Sequence, residues 1–570
     1  MGVETWKFSE LKFPKPDLRV LKDLYADAIE RVEQATSGAD VMEIIYEANE
    51  IVRKVTDLLT VTFIHYTMDT TNEKYAEDQR WVDENQQHFV QAAIEFNEAL
   101  YRSPYKEYVE ENLGSMYFAH LDIQKKSFSE KNIELRQREA ELVEEYKQII
   151  ASCSMELNGE ERSFMTLQNL LYDKDRDLRR SAFREFSRFL AQNETRLEEI
   201  WDELIKTRNK IGQNLGFENY IPVAYLERER LEYGQEEVAN FRKQIVEEIV
   251  PLCSKLYEAQ AKRLGVEKFM AYDEKIDFPK GTAHPLGDKE YMINKIFGMF
   301  REMSAETEEF IDFMNAHELI DYQDRPGKAE IEYSTTITSR KAPFVFSHFN
   351  GTAPGVTSLV SALGHAFASY RASRSQMIEE YYSASSDIME IHSMSMTMFA
   401  NRYADRFFGD DAKQYEFSNL QELMTFIPFG AAVDEFQHIC YSNPEMAPKE
   451  RTLTWRELEK KYMPWRKYDE DDEFMNRGGY WYHKLHFFGY PFYYIEYCLA
   501  TVNSMEMNRK YVTHPTSAWK EYLAITDIGG SEGYLDILKL ANLTPAYEDG
   551  AVKQSISYVK EVLEKYIETH

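Results

Sequence analysis

Cysteine is scarce in this chain. Four occur in 570 residues (Cys153, Cys253, Cys440 and Cys498), far apart and with no CxxC pair. That excludes a disulfide framework and a cysteine-based zinc ribbon, and fits reduced, buried thiols. Long apolar runs are missing too. None approaches the roughly 18 residues a bilayer span needs. The opening MGVETWKFSE has no basic stretch leading into an apolar one, so no secretion signal is expected. Trp6 stands where a myristoylation motif needs Ser or Thr. Positive charge is in deficit: 67 Lys and Arg face 98 Asp and Glu, a formal net charge of −31. With no basic stripe, neither nucleic acid nor an anionic membrane surface is expected as a partner. Internal repeats and low-complexity tracts are absent. These absences describe an acidic, soluble, cytoplasmic protein.

What is present is helix-forming and aromatic. There are 38 Tyr and 34 Phe, most of them expected in a core. Apolar residues recur at helical spacing through much of the chain. Asp17 is placed to cap a first helix with Leu21, Leu24, Ala28 and Val32 on one face. Further helices are expected near 39–66, 72–102, 104–122, 129–152, 174–193 and 194–214. Asn158-Gly159 predicts a small hairpin. Residues 331–338 and 342–349 read as strands. Helices near 411–426 and 429–441 and an aromatic block over 478–500 follow. No linker is visible. We divide the chain provisionally into an N-terminal helical lobe (1–200) and a second lobe (201–570).

The stretch from Ala342 to Thr397 carries the chemistry. It reads as a strand, a turn broken by Gly and Pro, a helix with Ser361-Ala362-Leu363-Gly364-His365, and a later helix with Glu390-Ile391-His392-Ser393. Residues i and i+4 share a helix face, so two imidazoles so spaced can hold one metal. A carboxylate beside the first can take a proton from metal-bound water. In this chain the frame is present, but the first position is Ser361 and the base position is Ala362.

The blocks FSHFNGTAPG, SLVSALGHAF and MEIHSMSMTMF, in this order, resemble the oligoendopeptidase F family of thimet-like zinc peptidases. So do WKFSELKFPKPDL, FIPFGAAVDEFQH (426–438) and RGGYWYHKLHFFGYPFYYIEYCLA (477–500). The resemblance runs over nearly all of the chain. It implies a mainly α, two-lobed, zincin-like fold with a deep central channel and a small β-sheet beside the active-site helix. It also implies that His365 and Glu390 correspond to zinc ligands. His486, Tyr493, Tyr494 and Tyr497 match the block that holds substrate and oxyanion in relatives. This chain departs from the pattern at Ser361, Ala362, Gly355 and Thr397.

Without the base carboxylate, hydrolysis by the usual route loses a contribution of ~100- to 10,000-fold. No cofactor is therefore expected, or zinc if the remnant pair still binds it. A His365–Glu390 hydrogen bond would put a proton in place of the metal. His348, where the family more often has Asn, and His392 are further candidate ligands. Ser361 is a poor zinc ligand, and as a nucleophile it lacks an oriented base. The reading is a catalytically inactive oligoendopeptidase-like protein that binds peptides or partners an active relative, with homo-oligomerisation open. The alternative is an active metal-dependent oligopeptidase, or an enzyme of altered mechanism.

Overall fold

A computed structural model describes residues 6–12, 15 and 17–569. Residues 1–16, which carry Pro14 and Pro16 and read in the sequence as an extended start, fall partly outside them. Within them, Phe8–Glu10 form a single 3-10 turn. The principal helices, in chain order, are α1 (Leu18–Gln34), α2 (Gly38–Met68), α3 (Glu73–Arg102), α4 (Arg176–Asn214), α5 (Ala353–Ser375), α6 (Ser386–Ala400), α7 (Ala412–Ser442), α8 (Tyr494–Thr513) and α9 (Pro515–Ile528). The short strands are β1 (Met155–Leu157), β2 (Glu160–Arg162), β3 (Ile320–Asp321), β4 (Tyr333–Ile337) and β5 (Ala342–Phe346).

The chain forms two compact units, each assembled from three stretches. Unit 1 holds Met1–Asp122, His284–Gly409 and Lys510–Leu543; unit 2 holds Ile123–Ala283, Asp410–Arg509 and Thr544–His570. A boundary at residue 200 would cut the continuous helix α4.

In unit 1, side-chain caps start the first three helices. Asp17 accepts from Arg19 N, Ser37 from Asp40 N, and Asn72 from Lys74 N and Tyr75 N. The buried face of α1 is Leu21, Tyr25, Ala28 and Val32. Leu24, expected there, is 43% exposed, and Tyr25 takes its place. These residues share a core with Ile45, Phe96 and Leu100, closed by Ile378 and Tyr381 from the segment between α5 and α6. The sheet has the order β3-β5-β4. Its central strand, Ala-Pro-Phe-Val-Phe, is buried at every residue, as a strand covered on both faces must be. β3 joins it in parallel, and β4 antiparallel with Tyr333 opposite Phe346 and Ile337 opposite Ala342. The chain then turns through Asn350-Gly351 into α5. Thr352 caps that helix by accepting from Gly355 N at 3.2 Å, and Pro354 lies in its first turn.

In unit 2 the Asn158-Gly159 hairpin is present, with both residues at positive φ (56° and 80°), as a two-residue type I′ turn requires. Helix α4 runs unbroken where two helices were expected. Trp201, fully buried on it, meets Phe436, Trp481, Phe487 and Phe488. Helix α7 is likewise continuous, although Pro428 lies inside it. Proline has no N–H, which leaves the Met424 carbonyl without its helical donor. The Cys253 thiol donates to that carbonyl at 3.5 Å.

Candidate functional site

In unit 1, the face of α5 that reaches solvent carries Ser358, Ser361, Ala362 and His365. Helix α6 crosses behind it at Gly364. A Cβ on Gly364 would lie 2.9 Å from Ser393 Cα and 3.0 Å from Met396 Cβ, so glycine is what allows so close an approach. That approach brings His365 Nε2 to 3.6 Å from Glu390 Oε2. This is a close contact and not the expected hydrogen bond. The Ser393 hydroxyl instead donates to Glu390 Oε2 at 3.2 Å. Burial holds the His365 pKa down to about 4, so the imidazole is neutral at pH 7.

The other two histidines do not join this pair. Both ring nitrogens of His348 face acceptors elsewhere, the Asp324 carboxylate and the Ala329 carbonyl at 2.8 Å. His392 is 1% exposed and lies edge-on to Tyr522 of α9, whose hydroxyl donates to the His392 carbonyl at 2.9 Å. Burial, then the neighbouring His365, lowers its pKa to about 3.

In unit 2, His486, Tyr493, Tyr494 and Tyr497 come together. The His486 ring lies 4.5 Å from Tyr494, 6.2 Å from Tyr493 and 6.4 Å from Tyr497, centre to centre. Tyr494 is buried, whereas His486, Tyr493 and Tyr497 reach solvent. Burial, then the cations Lys484 and Arg228, holds the His486 pKa down to about 4. A neutral imidazole flanked by phenols can offer both donors and acceptors to a peptide group.

This cluster has a support that sequence reasoning missed. Phe492 adopts φ +62°, unusual for a bulky residue. Its N–H donates to Gln437 Oε1 at 3.0 Å and its carbonyl accepts from buried Arg230. Arg230 also pairs with Glu496 at 2.9 Å, and Arg228 lies 4.7 Å from the Tyr493 ring centre. The alternating arginines in LERERLE (226–232) were the one signal available in the sequence.

Comparison with known proteins is decisive for the family. Residues 8–128 match the peptidase M3 N-terminal domain and residues 169–555 match peptidase family M3. The chain belongs to peptidase family M3. Within that family it resembles solved oligoendopeptidase F structures over its whole length. A provisionally assigned oligoendopeptidase F is 36% identical, with 99% of each chain covered and a TM-score of 0.89. PZ peptidase A, solved with an inhibitor, is 36% identical, with 98% of this chain and 99% of that one covered and a TM-score of 0.89. A provisionally assigned oligoendopeptidase F from Bacillus anthracis str. Ames is 34% identical, with 99% and 98% covered and a TM-score of 0.85. No curated protein matches significantly.

Family resemblance implies zinc, and the donor set of this M3 chain can be tested for it. A catalytic zinc site takes three protein ligands and leaves a fourth position for water. His365 and Glu390 would supply two. Ser361, one turn before His365, offers a neutral hydroxyl, and no three His, Cys, Asp or Glu side chains converge on a metal position among the described residues. The residues present do not make a three-ligand zinc site.

Proposed function

We propose that this M3-family protein binds peptides without hydrolysing them by the family's zinc route, acting alone or beside an active relative. One observation carries the reading. Ser361 and Ala362 occupy the solvent-facing positions of α5 where a second imidazole and a general base would be needed, and among the described residues no third His, Cys, Asp or Glu converges with His365 and Glu390 on a metal position. The aromatic cluster around His486 supports retained peptide binding, because its geometry is kept by Arg230 and Gln437. An acidic chain with four free, buried cysteines supports a reducing, cytoplasmic setting. Among the described residues no helix is long and apolar enough to cross a membrane.

Metal analysis and a quenched-fluorescence peptide assay test the proposal. The untouched protein is expected to carry substoichiometric zinc and to show no chelator-sensitive turnover. Ser361→His with Ala362→Glu is expected to gain both, the restored base alone being worth ~100- to 10,000-fold. Stoichiometric zinc with chelator-sensitive cleavage in the untouched protein would establish the active alternative instead.

A further inference from the structure

We infer that Lys484, backed by Arg466 and Lys275 on the aromatic wall that also carries His486, forms a carboxylate-binding subsite of unit 2. The matching ligand group is the C-terminal carboxylate of a peptide or an acidic side chain within one. The inference rests on the peptide-binding reading above and specifies which end or residue of the peptide is held.

Two of the cations share a ring, and Lys275, over the Tyr172 ring at 5.6 Å, is a charge neighbour of Lys484. Lys484 Nζ lies 5.7 Å from the Phe429 ring centre and the Arg466 guanidinium 5.8 Å from the same ring. Arg466 also lies 4.6 Å from the Tyr480 ring. Phe429 meets Tyr494 at 5.8 Å, and Tyr494 meets His486 at 4.5 Å. Lys484 and His486, two residues apart, are thus also linked through two aromatic rings in contact.

The carboxylates nearby are already committed. Arg466 donates to both oxygens of Glu274, at 2.9 and 2.6 Å. Glu459 serves Tyr468 at 2.6 Å and Arg456 at 3.0 Å. Arg466 Nη1 makes no hydrogen bond, its closest ion-pair oxygen being Glu459 Oε1 at 3.8 Å. Lys275 has Glu422 at 3.6 Å. Lys484 has no ion pair or hydrogen bond to its ammonium among the described residues, in a chain with 31 more acidic than basic side chains. Burial, then Lys275 and Arg466, presses its pKa down to about 8. A half-buried ammonium beside two other cations is costly, and an incoming carboxylate would offset that cost with a charge-assisted hydrogen bond.

The phenols at this place, Tyr480 and Tyr494, are kept protonated chiefly by burial, and besides the cations and carboxylates named above the remaining titratable groups are His483 and His486. Both are held neutral at pH 7, chiefly by burial, with Lys484 contributing. Binding needs the ammonium form, and a bound carboxylate raises the amine's pKa. Affinity should therefore be full below about pH 8, fall as pH rises from there to the raised pKa of the complex, and level off above it.

The experiment uses the full chain and fluorescence anisotropy of N-terminally dansylated random heptapeptides built from Ala, Leu, Phe, Gly and Ser. Three forms are compared: the free acid, the C-terminal amide, and an amide with one central Glu. The free acid is expected to bind about tenfold tighter than the plain amide at pH 7, the advantage of one charge-assisted contact. Lys484→Gln should bring the ratio near one. Lys484→Arg should keep the ratio and hold it to pH 9.5, where the wild type loses it. A Glu-amide that matches the free acid assigns the contact to acidic side chains as well. Equal binding of all three forms by the wild type would overturn the subsite and leave peptide binding standing. No binding of any form would overturn both. Melting curves of the two variants identify any fold defect, and loss of binding with intact melting in Lys484→Arg would also count against the subsite.

Discussion

His365 and Glu390 approach to 3.6 Å without a hydrogen bond, and Ser393 satisfies the carboxylate instead. Burial keeps the imidazole neutral in the folded protein down to about pH 4, against an ordinary value near 6.5. The unfolded chain binds that proton first, so stability falls as pH drops from about 6.5 to about 4 and then levels off. Each pH unit in that window is worth about 1.4 kcal/mol. His365→Gln removes the effect. Chemical denaturation at pH 7 and pH 5 should show the wild type losing about 2 kcal/mol or somewhat less through this group. The variant's loss should be smaller by that amount. An identical loss in both proteins would mean that His365 is hydrated like a free imidazole. The sequence singled out these two residues as a candidate pair, and the structure places them 3.6 Å apart. Sequence alone could not show that the carboxylate would turn to a serine one turn along its own helix, because that choice is a rotamer and not a pattern.

Elements were legible where the signal is local. The Asn158-Gly159 turn, the cap at Asp17 and the fully apolar strand β5 follow from rules that act over four or five residues. Continuity was harder. The helix expected over 104–122 is broken at Gly114, which sits at φ 92°. Conversely, α7 continues through Pro428, and the Met424 carbonyl that the proline orphans is met by Cys253, 171 residues earlier. No local window contains that partner. The packing of α5 on α6 also depends on one glycine with a long-range reason. Gly364→Ala adds helix propensity of roughly 1 kcal/mol but forces a methyl against Ser393 Cα and Met396 Cβ. Overpacking against backbone costs typically about 1–3 kcal/mol, so the variant is expected to melt lower. In the Ser361→His/Ala362→Glu background it should also weaken zinc binding, since it moves Glu390 away from His365. A higher melting temperature with unchanged zinc affinity would show that the helices part without strain.

At the scale of the molecule, the segment joining α5 to α6 is fastened to the N-terminal helices of unit 1. Arg53 donates to the Met377 carbonyl at 2.6 Å, Thr56 to Glu379 at 2.9 Å and Asn49 to Glu380 at 3.0 Å. The Tyr381 hydroxyl donates to the Leu113 carbonyl at 2.7 Å. Because this segment connects the helices of His365 and Glu390, the region matched as the M3 N-terminal domain helps set the spacing of a pair it does not contain. One fastening is pH-sensitive. Burial, with neighbouring Glu380 adding to it against the Thr56 hydrogen bond, raises the Glu379 pKa to about 7. The folded form thus favours the protonated acid. Its stabilising contribution is complete below about pH 4.5 and is lost as pH rises through 7. Glu379→Gln keeps an acceptor for Thr56 and cannot ionise. The variant's stability relative to wild type should therefore climb between pH 5.5 and pH 8.5, by about 2 kcal/mol. Melting curves at the two pH values decide the matter: a difference that does not change with pH would place Glu379 in water and leave the connection held by Arg53, Asn49 and Tyr381.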